Sequence, residues 1–232
     1  MVMYQHIAWA YDQIFPLQEA TLHFLKEHLP KGVILDLACG TGAYAIALAK
    51  AGYQVEASDL SEDMIHFAKT LPDARVVDFK VEDMFAFEAT QPYDGIYIIG
   101  NSLSYTKNLS HASLFFERLD QSLKPNGRLI IQILNYDRIL RDHLTTLPPI
   151  QKEGITFLRR YQYLEDGLLF HTEIQTEAQT KAEVHRLYPL RKQHLLGMAQ
   201  ECGFTLLGIY GDFKKSVFDQ VSSYHTIAVW KK

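Results

Sequence analysis

The sequence predicts an α/β protein: an open, mostly parallel sheet with helices on both faces, carrying a small antiparallel β insertion. Three observations predict it. Short apolar runs alternate with helix-forming runs from residue 33 to residue 134, the pattern of repeated strand–helix units. The first apolar run empties into a Gly-x-Gly turn that opens a helix. After Asn135 the pattern changes to polar–apolar alternation, the period of half-buried antiparallel strands.

Val33-Ile34-Leu35-Asp36-Leu37-Ala38 reads as the first buried strand. Ala43 to Lys50, rich in Ala and Leu, reads as helix, with Gly52 as its stop. Gln54 to Ser58 is a second strand ending at Asp59; Ser61 caps the next helix, and Glu62 and Asp63 stand in its first turn, where the helix dipole favours acids. Arg75 to Phe79 and Asp94 to Ile99 read as the third and fourth strands and Ser110 to Leu123 as helix. Lys124-Pro125-Asn126-Gly127 reads as a turn, and Arg128 to Leu134 as the fifth strand.

Leu147-Pro148-Pro149 marks a break, after which Ile155 to Leu164, Leu168 to Thr176 and Ala182 to Tyr188 read as strands. In the middle one Leu168, Phe170, Thr172 and Ile174 alternate with Leu169, His171, Glu173 and Gln175, so one face is apolar. Asp166-Gly167 is a hairpin signal. Helix returns with Leu195, Ala199 and Cys202 on one face and Gly203 at its end, and Thr205 to Tyr210 and Tyr224 to Trp230 close the chain as strands. The expected organisation is a core of residues 1–135 and 189–232, with residues 136–188 inserted over the crevice at the carboxyl ends of the strands.

The 232 residues amount to roughly one and a half domains at ~150 residues each. No apolar run approaches the ~18 residues of a membrane helix, and the first residues lack a basic flank and apolar block, so neither membrane span nor signal peptide is expected. Cys39 and Cys202 make no disulfide framework, and a cytoplasmic protein is expected. The net charge of −4 argues against nucleic acid as partner. Residues 1–100 carry 6 Lys/Arg against 14 Asp/Glu, a balance that suits a cationic ligand better than a polyphosphate.

The chemistry concentrates in Asp36-Leu37-Ala38-Cys39-Gly40-Thr41-Gly42, where Gly40 and Gly42 let the backbone approach a ligand. With Ala45 the spacing also fits the dinucleotide fingerprint, and Asp59 stands ~20 residues on, where an acid holds an adenosine ribose. A nicotinamide dinucleotide and other adenosyl ligands therefore stay open on spacing alone. Asp36 separates them, because a fixed carboxylate beside the loop repels a diphosphate by about 1–4 kcal/mol at ~4 Å. It favours an ammonium or a sulfonium, and S-adenosyl-L-methionine carries both. Glu82-Asp83-Met84 adds a carboxylate for an adenine amino group, while Met84 and Leu60 cover the purine faces.

These stretches resemble the class I S-adenosylmethionine-dependent methyltransferases. Residues Ile34 to Gly42 are similar to their first motif, Asp59 to Met64 to the ribose-binding turn and following helix, and Glu82-Asp83-Met84 to the adenine-contacting motif. Tyr93-Asp94-Gly95-Ile96 to Asn101-Ser102-Leu103 and Leu123 to Arg128 resemble the fourth-strand motif and the turn before the fifth strand. Tyr4 to Asp12 resembles the helix that closes over the cofactor, and Arg186-Leu187-Tyr188-Pro189 with Cys202-Gly203-Phe204 a glycine/sarcosine methyltransferase-like branch with a β-rich insertion.

The resemblance implies a Rossmann-like seven-stranded sheet whose last strand is antiparallel to the rest. It also implies a small-molecule methyl acceptor and a monomer or homodimer. Role by role, Ala38, Gly40 and Gly42 would carry the methionine portion of the cofactor, Asp36 its ammonium, Asp59 the ribose, and Asp83 the adenine amino group. Leu60, Met64, Glu82 and Met84 would line that site, Asn101 and Ser102 would face the methyl, and Tyr11 would close over it.

Methyl transfer asks mainly for positioning, since the sulfonium is already a strong electrophile. Candidate bases or orienting groups for the acceptor are His171, Glu173 and His185, with Arg186 and Tyr188 for an anionic acceptor. Their plainer reading is a solvated strand face, and no metal-ligand spacing is convincing. Asn101-Ser102-Leu103-Ser104 is not the Asn-Pro-Pro-aromatic loop of nucleic-acid amino-methyltransferases. A nicotinamide-dependent oxidoreductase and a non-catalytic cofactor-binding module remain the alternative expectations.

Overall fold

The apolar run Val33–Leu37 forms β1, a central strand of a seven-stranded sheet in this computed structural model, which describes residues 8–232. β2 (Gln54–Asp59), β3 (Val77–Val81), β4 (Tyr93–Ile98) and β5 (Leu123–Leu134) run parallel to it. The strand nearest the carboxyl terminus, His225–Lys231, lies antiparallel to β5, and Thr205–Tyr210 forms the edge beyond it. Only His225–Lys231 therefore opposes the sheet's direction, as the resemblance implies.

Helices Ala8–Ile14 (α1), Glu19–His28 (α2), Ala43–Lys50 (α3) and Glu62–Thr70 (α4) precede β4 in the chain; Leu109–Ser122 (α5), Tyr136–Arg141 (α6) and Lys192–Glu201 (α7) follow it. Each sheet face buries its own core. Ile34, Tyr97, Ile130, Ile227 and Val229 pack with Phe24 and Leu25 of α2 and Ala45 and Leu48 of α3. Leu35, Ile96, Ile131 and Trp230 pack with Phe115 and Phe116 of α5 and Leu195 of α7. The Ser61 hydroxyl accepts from the Met64 N–H and caps α4 as expected.

A second, four-stranded antiparallel sheet holds β6 (Thr146–Lys152), β7 (Ile155–Leu164), β8 (Gly167–Gln175) and β9 (Thr180–Leu187) in that order. Leu168 and Phe170 of β8 face the main core, while Ile174 joins Ile155 and Phe157 against α1 and Met64 of α4. Helix α1 is thus held between the small sheet and the loop ends of the large one. With the carboxyl-terminal pair labelled β10 (Thr205–Tyr210) and β11 (His225–Lys231), the large sheet reads β10-β11-β5-β4-β1-β2-β3.

Three local expectations are corrected. Residues 146–152 form a strand where Leu147-Pro148-Pro149 suggests a break: β6 is an edge strand, and its register slips between Leu147 and Ile150, so neither proline interrupts a needed ladder bond. The third strand starts two residues later than expected, because Ala74–Val76 closes a 3₁₀ turn. Pairing of β5 begins already at Leu123, opposite Tyr93, and the Lys124–Gly127 turn is a bulge within the strand, with Asn126 at φ 68°. The amino-terminal part of the expected closing helix, from Tyr4, lies outside the described residues.

Candidate functional site

The crevice opens at the carboxyl ends of β1, β2 and β4, and it has two rooms. One, of about 460 Å³, is lined by Tyr11, Asp36, Ala38, Gly40, Asp59, Met64, Ser102 and Gln132, among others. The other, of about 390 Å³, is lined by Leu60, Glu82, Asp83, Met84, Lys107 and His111, with Ala38, Asp59 and Ser102 as the shared wall.

The loop between β1 and α3 is shaped by backbone conformation. Ala38, Gly40 and Gly42 all take positive φ, at 62°, 57° and 75°. For Ala38 this left-handed conformation costs about 1–2 kcal/mol, local strain at the wall of both rooms. Gly42 has a packing reason as well: a Cβ there would lie 2.4 Å from the Phe79 ring. Gly40 faces the Tyr11 ring, 3.3 Å from where its Cβ would be, so Tyr11 roofs the loop. Gly42 thus shapes the loop from behind rather than lining the crevice.

Asp59, at the end of β2, ties the loop to the next helix. Its Oδ2 accepts from Gly40 N–H at 2.8 Å and its Oδ1 from Ser61 N–H at 2.9 Å. A carboxylate has about four lone-pair sites, so both oxygens retain capacity for hydroxyl donors. Burial raises its pKa, opposed by those N–H donors.

Asp36 corrects the expectation of a fixed charge. Its side chain is buried within the sheet end, and the Tyr97 hydroxyl donates to its Oδ2 at 2.5 Å. Burial pushes its pKa up to about 8; the Tyr97 hydrogen bond opposes the shift and the neighbouring Asp59 adds to it. At neutral pH Asp36 is therefore largely a neutral acid. Burial likewise holds the Cys39 thiol well above its usual range, so it is inert inside the loop.

The remaining sequence candidates divide. Ser102 lines both rooms and donates to the Ile99 carbonyl at 3.0 Å. Asn101 lines neither. Its backbone turns at φ 68°, its Nδ2 donates to the Tyr136 hydroxyl at 3.0 Å, and its Oδ1 accepts from Leu134 N–H and the Ser104 hydroxyl, both at 2.9 Å. It is a clamp between β4, β5 and α6.

His171 and Glu173 stand on the face of the small sheet opposite Leu168 and Phe170, and Glu173 pairs with Arg160 at 3.3 Å and accepts from Gln175 at 2.6 Å. Neither lines a room. The antiparallel register sets His185 opposite Phe170, on the inner face, where it joins the wall of the smaller room and meets Glu183 at 3.0 Å. Arg186 lines the rim of that room while paired with Asp166 at 2.5 Å. Tyr188 donates its N–H to the Ser104 carbonyl at 2.8 Å and its ring packs on the core.

Residues that sequence reasoning missed complete the larger room. Gln132 stands on β5 with its Oε1 accepting from Gly100 N–H at 2.6 Å. Its signal is legible afterwards, since it is the one polar residue in Leu129-Ile130-Ile131-Gln132-Ile133-Leu134. His225 at the start of β11, Phe213, Tyr44 and Thr21 have no such signal and are brought in by topology alone. The insertion contributes Ile150 and Lys152 of β6.

A Gly-x-Gly loop under a tyrosine roof, with acids at three adjacent strand ends on this strand order, defines a nucleoside-cofactor crevice of the methyltransferase type. Residues 34–127 match the methyltransferase domain family. YqeM of Bacillus subtilis (strain 168), whose name places it with the methyltransferases and gives no substrate, is 29% identical over 91% of this chain and 90% of its own length. Glycine/sarcosine N-methyltransferase of Halorhodospira halochloris is 29% identical over 84% of this chain and 75% of its own. A solved S-adenosylmethionine-dependent methyltransferase from Clostridium acetobutylicum ATCC 824 shares the fold, with a TM-score of 0.84 over 98% of both chains at 16% identity. The domain match, these relatives and the shared fold support a class I S-adenosylmethionine-dependent methyltransferase.

Proposed function

We propose that this protein moves the methyl group of S-adenosylmethionine to the nitrogen of a small amine in the larger room. The observation that carries the reading is the continuity of that room. It runs from the Gly loop and Asp36 past Gly100 to Gln132 and His225. The named acceptor chemistry of a relative, glycine and sarcosine N-methylation, supports nitrogen as the atom methylated.

When bound, the cofactor supplies an electrophilic methyl on a sulfonium. The chain's residues do the rest by holding and drying. Leu60 and Met84 cover the adenine in the smaller room, and Asp83 takes its amino group. Asp59 takes the ribose hydroxyls, and Asp36 takes the ammonium as its proton leaves. Lys152, the one Lys or Arg among the described residues lining the larger room, stands ready for a carboxylate. Tyr11 closes the roof and excludes water, which strengthens each of these charge contacts. In this reading residues 1–135 and 189–232 hold the cofactor, and residues 136–188 wall both rooms. The two free cysteines suit a reducing cytoplasm; among the described residues no helix is long and apolar enough to cross a membrane.

The test is turnover. Incubation with S-adenosylmethionine and a panel of amino acids, amino sugars and simple amines is expected to release S-adenosylhomocysteine in step with one N-methylated product. Methylation of hydroxyl acceptors alone, or of none, contradicts the reading.

A further inference from the structure

We propose that Gln132 and His225 form a carboxylate-binding subsite for the methyl acceptor, at the end of the larger room remote from Asp36. The proposal rests on the methyltransferase reading of the crevice and adds the class of its substrate: a short amine that bears a carboxylate.

Both side chains line the room. Gln132 pairs with Ile227 and His225 with Leu134 across β5 and β11, so the two are diagonal neighbours on one sheet face. Such neighbours stand about 7–8 Å apart or less, a span that a carboxylate bridges with two N–H···O bonds of about 2.9 Å. The Gly100 N–H holds Gln132 Oε1 at 2.6 Å, which fixes the carboxamide and leaves its NH₂ as a donor without a partner among the described residues.

His225 presents a donor too. Its Nδ1 is sealed from solvent and has no partner among the described residues. With the proton on Nε2 the ring offers a donor on its accessible edge and leaves Nδ1 as the bare acceptor. Burial holds the ring's pKa down to about 4, against the opposing charge of Asp212, so the ring is neutral at neutral pH.

Strand spacing decides which carboxylate these donors serve. The cofactor's ammonium and carboxylate share one carbon, and the ammonium is committed to Asp36 on β1. β5 lies two strands from β1 and β11 three, about 10 and 14 Å away. The cofactor's own carboxylate stays within one carbon of that ammonium, on the β1 side, whereas the donor pair is carried by β5 and β11. The donors remain for the second substrate, whose nitrogen then lies between them and the methyl.

The test titrates the full chain, saturated with S-adenosylhomocysteine, with acetate and separately with acetamide by calorimetry. Acetate is expected to bind about tenfold more tightly than acetamide. His225→Phe removes one donor, and Gln132→Glu keeps the oxygen that Gly100 needs but replaces the NH₂ with an acceptor. Each is expected to weaken acetate about tenfold or more, while S-adenosylhomocysteine affinity stays within about twofold. Acetate binding that is absent, no tighter than acetamide, or unchanged in both variants overturns the subsite. Loss of S-adenosylhomocysteine affinity in the variants, with acetate unchanged, assigns the pair to the cofactor and overturns it as well. Failure of the unaltered protein to bind S-adenosylhomocysteine overturns the methyltransferase reading and the subsite with it.

Discussion

Asp36→Asn is expected to make the empty protein more stable and to cripple cofactor binding at the same time. Asparagine is nearly isosteric with aspartic acid and still accepts the Tyr97 hydroxyl's hydrogen bond. It carries no charge to be buried. Asp36 has its pKa raised to about 8 in the folded chain, against about 3.9 unfolded. A group raised in this way favours the fold most fully below about pH 4, and that contribution drains away as pH climbs through 8. The variant has no such loss.

Its advantage is therefore small near pH 4 and grows to a few kcal/mol by pH 8. That is roughly 5–10 °C in melting temperature for a chain of this size. Melting curves across that pH range check it, and a gap of constant size contradicts it. In the same variant S-adenosylmethionine affinity is expected to fall about 10–100-fold, because a hydrogen-bonded charge pair is lost. Calorimetry of the unaltered protein at pH 7, in buffers of different ionisation heat, is expected to register about one proton released on binding, and in the variant none. The instability of Asp36 is thus a cost that, in the proposed function, binding of the cation offsets.

Asp59→Ala is the second large effect. The carboxylate joins the Gly40 and Ser61 N–H groups, so the alanine leaves two loop donors unpaired as well as removing the proposed ribose partner. The expected loss in cofactor affinity is about 100-fold or more, with about 1–3 kcal/mol of stability lost beside it. Asp59→Asn separates the two contributions: it keeps one carbonyl acceptor for the loop and drops the charge, so it recovers stability more than affinity. Calorimetric titration of both variants reads the difference, and an affinity unchanged in Asp59→Ala refutes the ribose role.

Much of this site is legible in the sequence because parallel strands announce themselves. A buried run such as Val33–Leu37 followed by Gly40 and Gly42 allows few other readings, and the acids at 36, 59 and 83 fall at strand ends by counting alone. What counting cannot see is where a side chain points after an irregular turn. Asn101 sits where a site residue belongs, yet its left-handed backbone delivers the carboxamide to Leu134 and Tyr136. His171 and His185 look alike on adjoining strands, and only the register of the hairpin separates the outer from the inner face. Pro148 and Pro149 mask β6 because proline is tolerated only on an edge, and edges are a property of the whole sheet. Burial is equally invisible: Asp36 reads as a fixed anion until Tyr97 and the surrounding strands enclose it.

The central claim is that these acids and this loop hold a cationic nucleoside. Calorimetric titration of the full chain with S-adenosylmethionine tests it most directly, with reduced nicotinamide dinucleotide as the comparison. One site of about micromolar affinity is expected for the first, and no heat from the second. No binding of S-adenosylmethionine at millimolar concentration, or tighter binding of the dinucleotide, contradicts it.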